Sequence, residues 1–74
     1  MITIKCAKCG KKLIKYRKIG KGRILKCYLS RIYDDKTVKK NGKIYCSCGN
    51  LIGVIEKNYI KMRQRNFTYS GKFE

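Results

Sequence analysis

Seventy-four residues carry twenty lysines and arginines against four acidic residues and no histidine, a formal charge of +16. A chain of this length buries only about 60% of its unfolded surface, so its core is thin and a staple, disulfide or metal, is expected. The charge favours polyanionic partners over basic or neutral ones, and the missing histidine removes the commonest general base.

Taken in chain order, the elements read as strands of one domain spanning residues 1–74. "ITIK" (2–5) alternates and runs into a first cysteine pair. "LIKYRKI" (13–19) is followed by "GKG" (20–22), which has the look of a three-residue hairpin loop with glycine at hand for a positive φ. The spacing therefore predicts that 13–19 pairs with "RILKCYLSRIY" (23–33), the longest strand candidate, with Leu25, Cys27 and Leu29 on one face. "DDKTVKKNGK" (34–43) turns the chain, and Asn41-Gly42 is its strongest hairpin signal. "KIYC" (43–46) enters a second cysteine pair, and the apolar run "LIGVIE" (51–56) suggests a strand covered on both faces. "YIKM" (59–62), the turn "RQRN" (63–66) and "FTYS" (67–70) read as a closing hairpin. No proline interrupts the pattern, and no segment of useful length shows a helical period.

Five cysteines are an odd number for a complete disulfide framework. "MITIKCAKCG" carries Lys5 and no long apolar stretch, so it does not read as a signal peptide, and no run approaches the length needed to cross a bilayer. The expected compartment is the cytoplasm, where paired cysteines usually hold metal. Cys6 and Cys9 form C-x-x-C, and Cys46 and Cys48 a tighter C-x-C, each followed by a glycine. Both spacings let the backbone fold back so that two sulfurs aim at one ion while amide N–H groups bond the thiolates. Together they supply the four ligands of one closed, structural Zn²⁺ site, which adds −2 and leaves the chain at +14. A redox disulfide is the competing use, but a C-x-C disulfide is strained and no βαβ pattern surrounds either pair. Cys27 is left over; with no histidine to activate it, it reads as a small core residue, with a spare-ligand role as the alternative.

Four stretches, "CAKC" (6–9), "GKGRILKCYLSRI" (20–32), "KIYCSCGNLIG" (43–53) and "FTYSGKF" (67–73), occur in the order found in zinc modules of the Yippee and cereblon type, which the chain resembles over nearly its whole length. The resemblance implies a β-tent: two antiparallel sheets meeting at an angle, pinned at the apex by a four-cysteine zinc. Three departures bear on it: the chain is short, its second knuckle is C-x-C rather than C-x-x-C, and it has no tryptophan to build a ligand cage. The related zinc-bearing methionine sulfoxide reductases need a catalytic cysteine near the C-terminus, and "RNFTYSGKFE" has none. The first dozen residues, "IKCAKCGKKLIK", also resemble Com-type translational regulators and short zinc ribbons.

The basic residues gather in three clusters. Lys11, Lys12, Lys15, Arg17, Lys18, Lys21, Arg23 and Lys26 contain no acid among them. On a hairpin with its tip at Lys21 and Arg23, they would suit a finger laid along a phosphate backbone. Lys39, Lys40 and Lys43 surround the Asn-Gly turn, and Arg63 and Arg65 stand beside Phe67 and Tyr69. Tyr16 and Tyr28 either stack on bases or pack in the core. Asp34-Asp35, the one acidic pair, reads as turn chemistry rather than a metal-dependent active site.

The expectation is an all-β, zinc-stapled antiparallel domain, β-tent or zinc-ribbon-like, without catalytic activity or a small-molecule substrate. Its expected partner is nucleic acid, RNA foremost, with ribosomal RNA as one candidate, since no recognition helix is in sight and no amphipathic helix could lie on a membrane. The alternatives are a protein-interaction module around Phe67, Tyr69 and Phe73, and a small transcription or translation regulator.

Overall fold

Alternation decides the first strand. Ile2, Ile4 and Cys6 recur at period two and are fully buried, while Thr3 and Lys5 between them are half-buried on the other face. In the computed structural model, which describes residues 1–20 and 22–72, this is β1 (Ile2–Cys6). β2 (Lys12–Tyr16) returns antiparallel to it, with Ile4 opposite Ile14. The register then steps to Lys5 opposite Lys12, leaving Leu13 as an extra residue. Such a bulge breaks strict alternation, and Leu13 and Ile14 are both buried.

From β2 the chain passes to β3 (Lys26–Tyr28), a single 3₁₀ turn (Leu29–Arg31), β4 (Ile32–Asp35) and β5 (Val38–Lys40). β6 (Lys43–Tyr45), β7 (Leu51–Ile55), β8 (Tyr59–Met62) and β9 (Phe67–Gly71) follow. They form two antiparallel sheets, in the orders β4-β2-β1-β9 and β3-β8-β7-β6-β5. The all-β expectation therefore holds among the described residues, whose one helical element is the 3₁₀ turn. None of their helices is long and apolar enough to cross a membrane.

The Asn41-Gly42 hairpin forms as expected. Lys40 pairs with Lys43 across it, and Asn41 and Gly42 take φ of 51° and 73°, the positive angles a two-residue turn between twisted strands requires. β5, inside the expected turn region 34–43, is a strand because this hairpin makes it one.

Two expected hairpins do not form. β2 and β3 lie in different sheets, so the finger through "GKG" does not exist, and its tip residue Lys21 lies outside the described residues. Segment 23–33 is also two strands, because the chain leaves the second sheet at the 3₁₀ turn and joins the first as β4. β8 and β9 separate in the same way: β9 pairs with β1, from Ile2 opposite Gly71 to Cys6 opposite Phe67. A glycine-rich or charged turn marks a change of direction but does not name the strand's partner. That choice follows which sheet offers an unfilled edge and a place for the apolar side chains.

One cluster of buried side chains fills the space between the sheets. Ile2, Ile4, Leu13, Ile14 and Tyr16 come from the first sheet, and Cys27, Ile44, Ile52, Ile60 and Met62 from the second. Each buried isoleucine contributes about 1.5–3 kcal/mol. Cys27 is wholly buried, but Leu25 and Leu29 are exposed, contrary to the expected shared face. Leu25 precedes the strand, where Ile24 turns inward instead, and Leu29 begins the 3₁₀ turn. β7 has no exposed residue, though Leu51, Val54 and Ile55 are only half-covered. Tyr16 belongs to the core and cannot stack on a base; its hydroxyl accepts a hydrogen bond from the Tyr28 N–H at 3.0 Å, joining the sheets. Tyr28 itself is exposed, with its ring 5.1 Å from the Arg31 guanidinium and 6.0 Å from the Tyr59 ring.

Candidate metal centre

Each cysteine pair sits in a hairpin loop, and the two loops belong to different sheets. Cys6 ends β1, and its carbonyl accepts from the Gly10 N–H at 2.9 Å while its own N–H donates to Lys11 at 2.9 Å. Cys46 follows β6; its carbonyl accepts from the Gly49 N–H at 2.8 Å and its N–H donates to Asn50 at 2.9 Å. Gly10 and Gly49 take φ of 78° and 97°, so the glycine after each pair is the residue that permits the reversal.

The reversal brings together Cys6, Cys9, Cys46 and Cys48, with all four sulfurs within 4.8 Å of one another. Two of the separations between the hairpins are 3.7 Å, from Cys6 to Cys48, and 3.4 Å, from Cys9 to Cys46. Four sulfurs at 2.3 Å around a tetrahedral zinc would stand about 3.8 Å apart, so the cluster fits that ion closely. None of the described cysteines is in a disulfide. These four cysteines can therefore hold one zinc ion. An ion there ties the β1–β2 loop of one sheet to the β6–β7 loop of the other. Cys27, walled off in the core, is not in the cluster.

The surroundings favour thiolates, but not four at once. Burial opposes ionisation of Cys6, yet the Cys9 N–H, the Asn50 side chain and the Lys8 N–H hold its thiol down at about 6. The Lys8 N–H lies 3.3 Å and Asn50 Nδ2 3.4 Å from the sulfur. The Cys48 N–H lowers Cys46 against its burial. Cys9 receives the Lys11 N–H, but the Cys46 sulfur, burial and the Cys6 and Cys48 sulfurs outweigh it and push the thiol up to about 11. A bound dication removes that conflict by giving all four negative sulfurs one positive partner. Cys6 and Cys46 are buried while Cys9 and Cys48 face solvent, so an ion has an open side by which to enter.

Two asparagines that sequence reasoning passed over brace the centre. Asn50 Nδ2 reaches both Cys6 Sγ and, at 2.9 Å, the Asn66 carbonyl, which also accepts from the Ala7 N–H at 3.1 Å. Asn66 Nδ2 donates to the Leu51 carbonyl at 2.8 Å. Lys11 Nζ, 3.2 Å from Ser47 Oγ, adds a contact between the loops. Asn50 had a local signal, being next after the glycine of the second pair; Asn66 had none, because it arrives from the β8–β9 crossing.

The basic residues are distributed rather than gathered on one finger. Lys11 and Lys12 lie beside the centre, Lys15 opposite Asp34 in the first sheet, and Arg17 and Lys18 after β2. Lys39, Lys40 and Lys43 occupy the β5–β6 hairpin at the edge of the second sheet, where Lys39 Nζ pairs with Asp35 at 2.8 Å. Asp35 also accepts from the Thr37 N–H and hydroxyl, which is the turn chemistry expected of it. One conjunction was not legible: Arg23 of one crossing and Arg65 of another line the same cleft with Phe67 and Tyr69.

No family model, curated protein or solved structure matches the chain.

Proposed function

We propose that this protein is a non-catalytic, zinc-stapled β module that binds nucleic acid, RNA foremost, through phosphate contacts. The observation that carries the reading is the charge: twenty cations against four acids. Most of those described lie at exposed positions, Lys8, Lys12, Lys15, Arg23, Lys26, Lys40, Lys61 and Arg63 among them. A surface of this kind repels itself, and releasing the counterions condensed on a polyanion supplies a driving force that neutral partners lack. The only helical element among the described residues is three residues long, so no recognition helix is present there to enter a DNA major groove. Strands and loops carrying cations suit irregular RNA, where shape and phosphate contacts dominate. Two sheets tied through one four-cysteine cluster agree with the β-tent resemblance and support a structural role for the metal.

Anisotropy of a labelled single-stranded RNA, titrated with zinc-loaded protein between 50 and 300 mM salt, tests the reading. Log K should fall linearly with log salt, with a slope of about −0.7 per phosphate neutralised. Absence of binding at the lowest salt would overturn it. Co-sedimentation with ribosomal subunits asks separately whether the RNA is ribosomal.

A protein-interaction role is the second reading; Phe73, of the expected patch around Phe67, Tyr69 and Phe73, lies outside the described residues. Exposed Leu25, Tyr28, Leu29 and Tyr33 all fall within 25–33, where β3 and β4 are edge strands of their sheets. A pull-down partner that survives nuclease, without crosslinked nucleic acid, would favour it.

A further inference from the structure

Phe67 and Tyr69 are two apart on β9, opposite the buried Cys6 and Ile4 of β1, so their rings point to the side of the sheet that carries the core. β9 is an edge strand, and the core does not extend far enough to cover them: Phe67 is half-buried, and Tyr69 is 46% exposed. In front of them lies a cleft of about 520 Å³, walled by Arg23, Ile24, Gln64, Arg65 and Thr68. Small-ligand sites commonly measure about 300–1,000 Å³. Among the described residues no carboxylate lines it.

The β8–β9 crossing builds the polar wall. Residues 63–66 form a turn closed by the Asn66 N–H on the Arg63 carbonyl at 3.2 Å, and Gln64 Nε2 is pinned to the Ile24 carbonyl at 2.9 Å. That bond leaves the Gln64 carbonyl oxygen to accept from a ligand. Arg65 has φ of 74°, a left-handed angle at a turn position where glycine would sit without strain. An arginine held there, over a cleft with two aromatic rings and a second arginine, has no account in the packing of the core.

We propose that this cleft takes one unstacked nucleotide of a single-stranded nucleic acid. The inference rests on the nucleic-acid reading above and gives it a location. The base lies against Tyr69 and Phe67, the Gln64 carbonyl accepts from a base amino group, and Arg23 and Arg65 hold the adjoining phosphates. A duplex cannot use the cleft, because its bases are stacked and paired away from the rings; it binds only through charge.

The test uses the zinc-loaded full chain and three labelled probes of equal charge: single-stranded RNA, single-stranded DNA of the same sequence, and an RNA duplex. Tyr69→Leu keeps the position apolar and removes the ring; single-strand affinity should fall about tenfold, with duplex affinity unchanged. Arg65→Gly relieves the positive φ, so thermal stability should hold or rise while single-strand affinity falls, again about tenfold. Single-stranded RNA carrying 5-iodouridine should crosslink to the peptide that contains Phe67 and Tyr69. Equal losses on RNA and DNA place the recognition in base and phosphate, and a loss on RNA alone adds the 2′-hydroxyl; either supports the cleft. If both variants bind single strands and duplex as the parent does, with the salt slope intact, the cleft proposal falls and the charge reading survives. If the parent binds none of the three probes at 50 mM salt, both fall together.

Discussion

The two cysteine hairpins are near-copies that differ where they meet the rest of the molecule. In each, a buried cysteine stands at the end of a strand (Cys6) or just after it (Cys46), a glycine follows the second cysteine, and a bulged apolar residue comes four positions after that cysteine, Leu13 in one and Ile52 in the other. In each, a fully buried isoleucine stands two positions before the first cysteine, Ile4 and Ile44. The first loop closes from the Cys6 carbonyl to Gly10; the second does the same with one residue fewer, from Cys46 to Gly49. The residues facing those isoleucines differ: Ile14 opposite Ile4, but Gly53 opposite Ile44. A Cβ on Gly53 would lie 2.6 Å from Ile60 Cγ2 and 2.9 Å from the Lys61 carbonyl oxygen of β8. A hairpin motif is thus set by local chemistry, whereas the residue at its centre is set by the neighbouring strand.

Removing the ion, or one ligand from either hairpin, should have the largest effect and the same effect on both. Structural zinc contributes about 10–16 kcal/mol in small domains, whereas a chain this size is stable by only about 4–11 kcal/mol. Chelation, Cys9→Ser and Cys48→Ser should each abolish stoichiometric zinc and the cooperative melt followed by circular dichroism. Cys27→Ser should keep one zinc per chain. Burial pushes the Cys27 thiol up to about 12, so in the folded, metal-loaded protein it should also resist alkylation at pH 8.

A second substitution separates the hairpins. Gly53→Ala should cost about 1–3 kcal/mol through the clash with β8, read as a lower urea midpoint. Ile14→Val, at the matching place in the first hairpin, should cost about 0.5–1.5 kcal/mol. Equal costs would mean that β8 gives way, and the contrast between the hairpins would be lost.

Asn50 makes the centre asymmetric, since it belongs to the second hairpin but bonds a sulfur of the first. Asn50→Ala should weaken zinc binding roughly 10–100-fold in a competition titration without changing stoichiometry. The smallest effect lies outside the cysteine cluster. Burial works against the Asp35 carboxylate, but Lys39 and Thr37 hold it below the usual carboxylate range. A depressed carboxyl stabilises the fold above the unfolded-state value and loses that contribution as pH falls through the folded one. Asp35→Asn should therefore lower stability slightly at neutral pH, where the depressed carboxyl contributes in full, and flatten the acid side of the profile, so that variant and parent converge below the ordinary aspartate range.

Legibility followed the range of the interaction. The strand content, the Asn41-Gly42 hairpin, the four-cysteine set and the Asp35 turn were all readable, because each depends on residues a few positions apart or on the count of sulfurs. The finger through "GKG" and the closing hairpin through "RQRN" were misread, because a turn residue says only that the chain reverses.

By itself the sequence determined a basic, all-β chain with two cysteine loops able to share one ion, since spacing, period and charge are local or additive properties. Only the tertiary structure decided that those loops cap different sheets, that β9 pairs with β1 rather than β8, and that Arg23 lines one cleft with Arg65, Phe67 and Tyr69. The physical reason is that strand partners are chosen by burial over long separations, where one register fills the space between the sheets and the alternatives leave isoleucines in water.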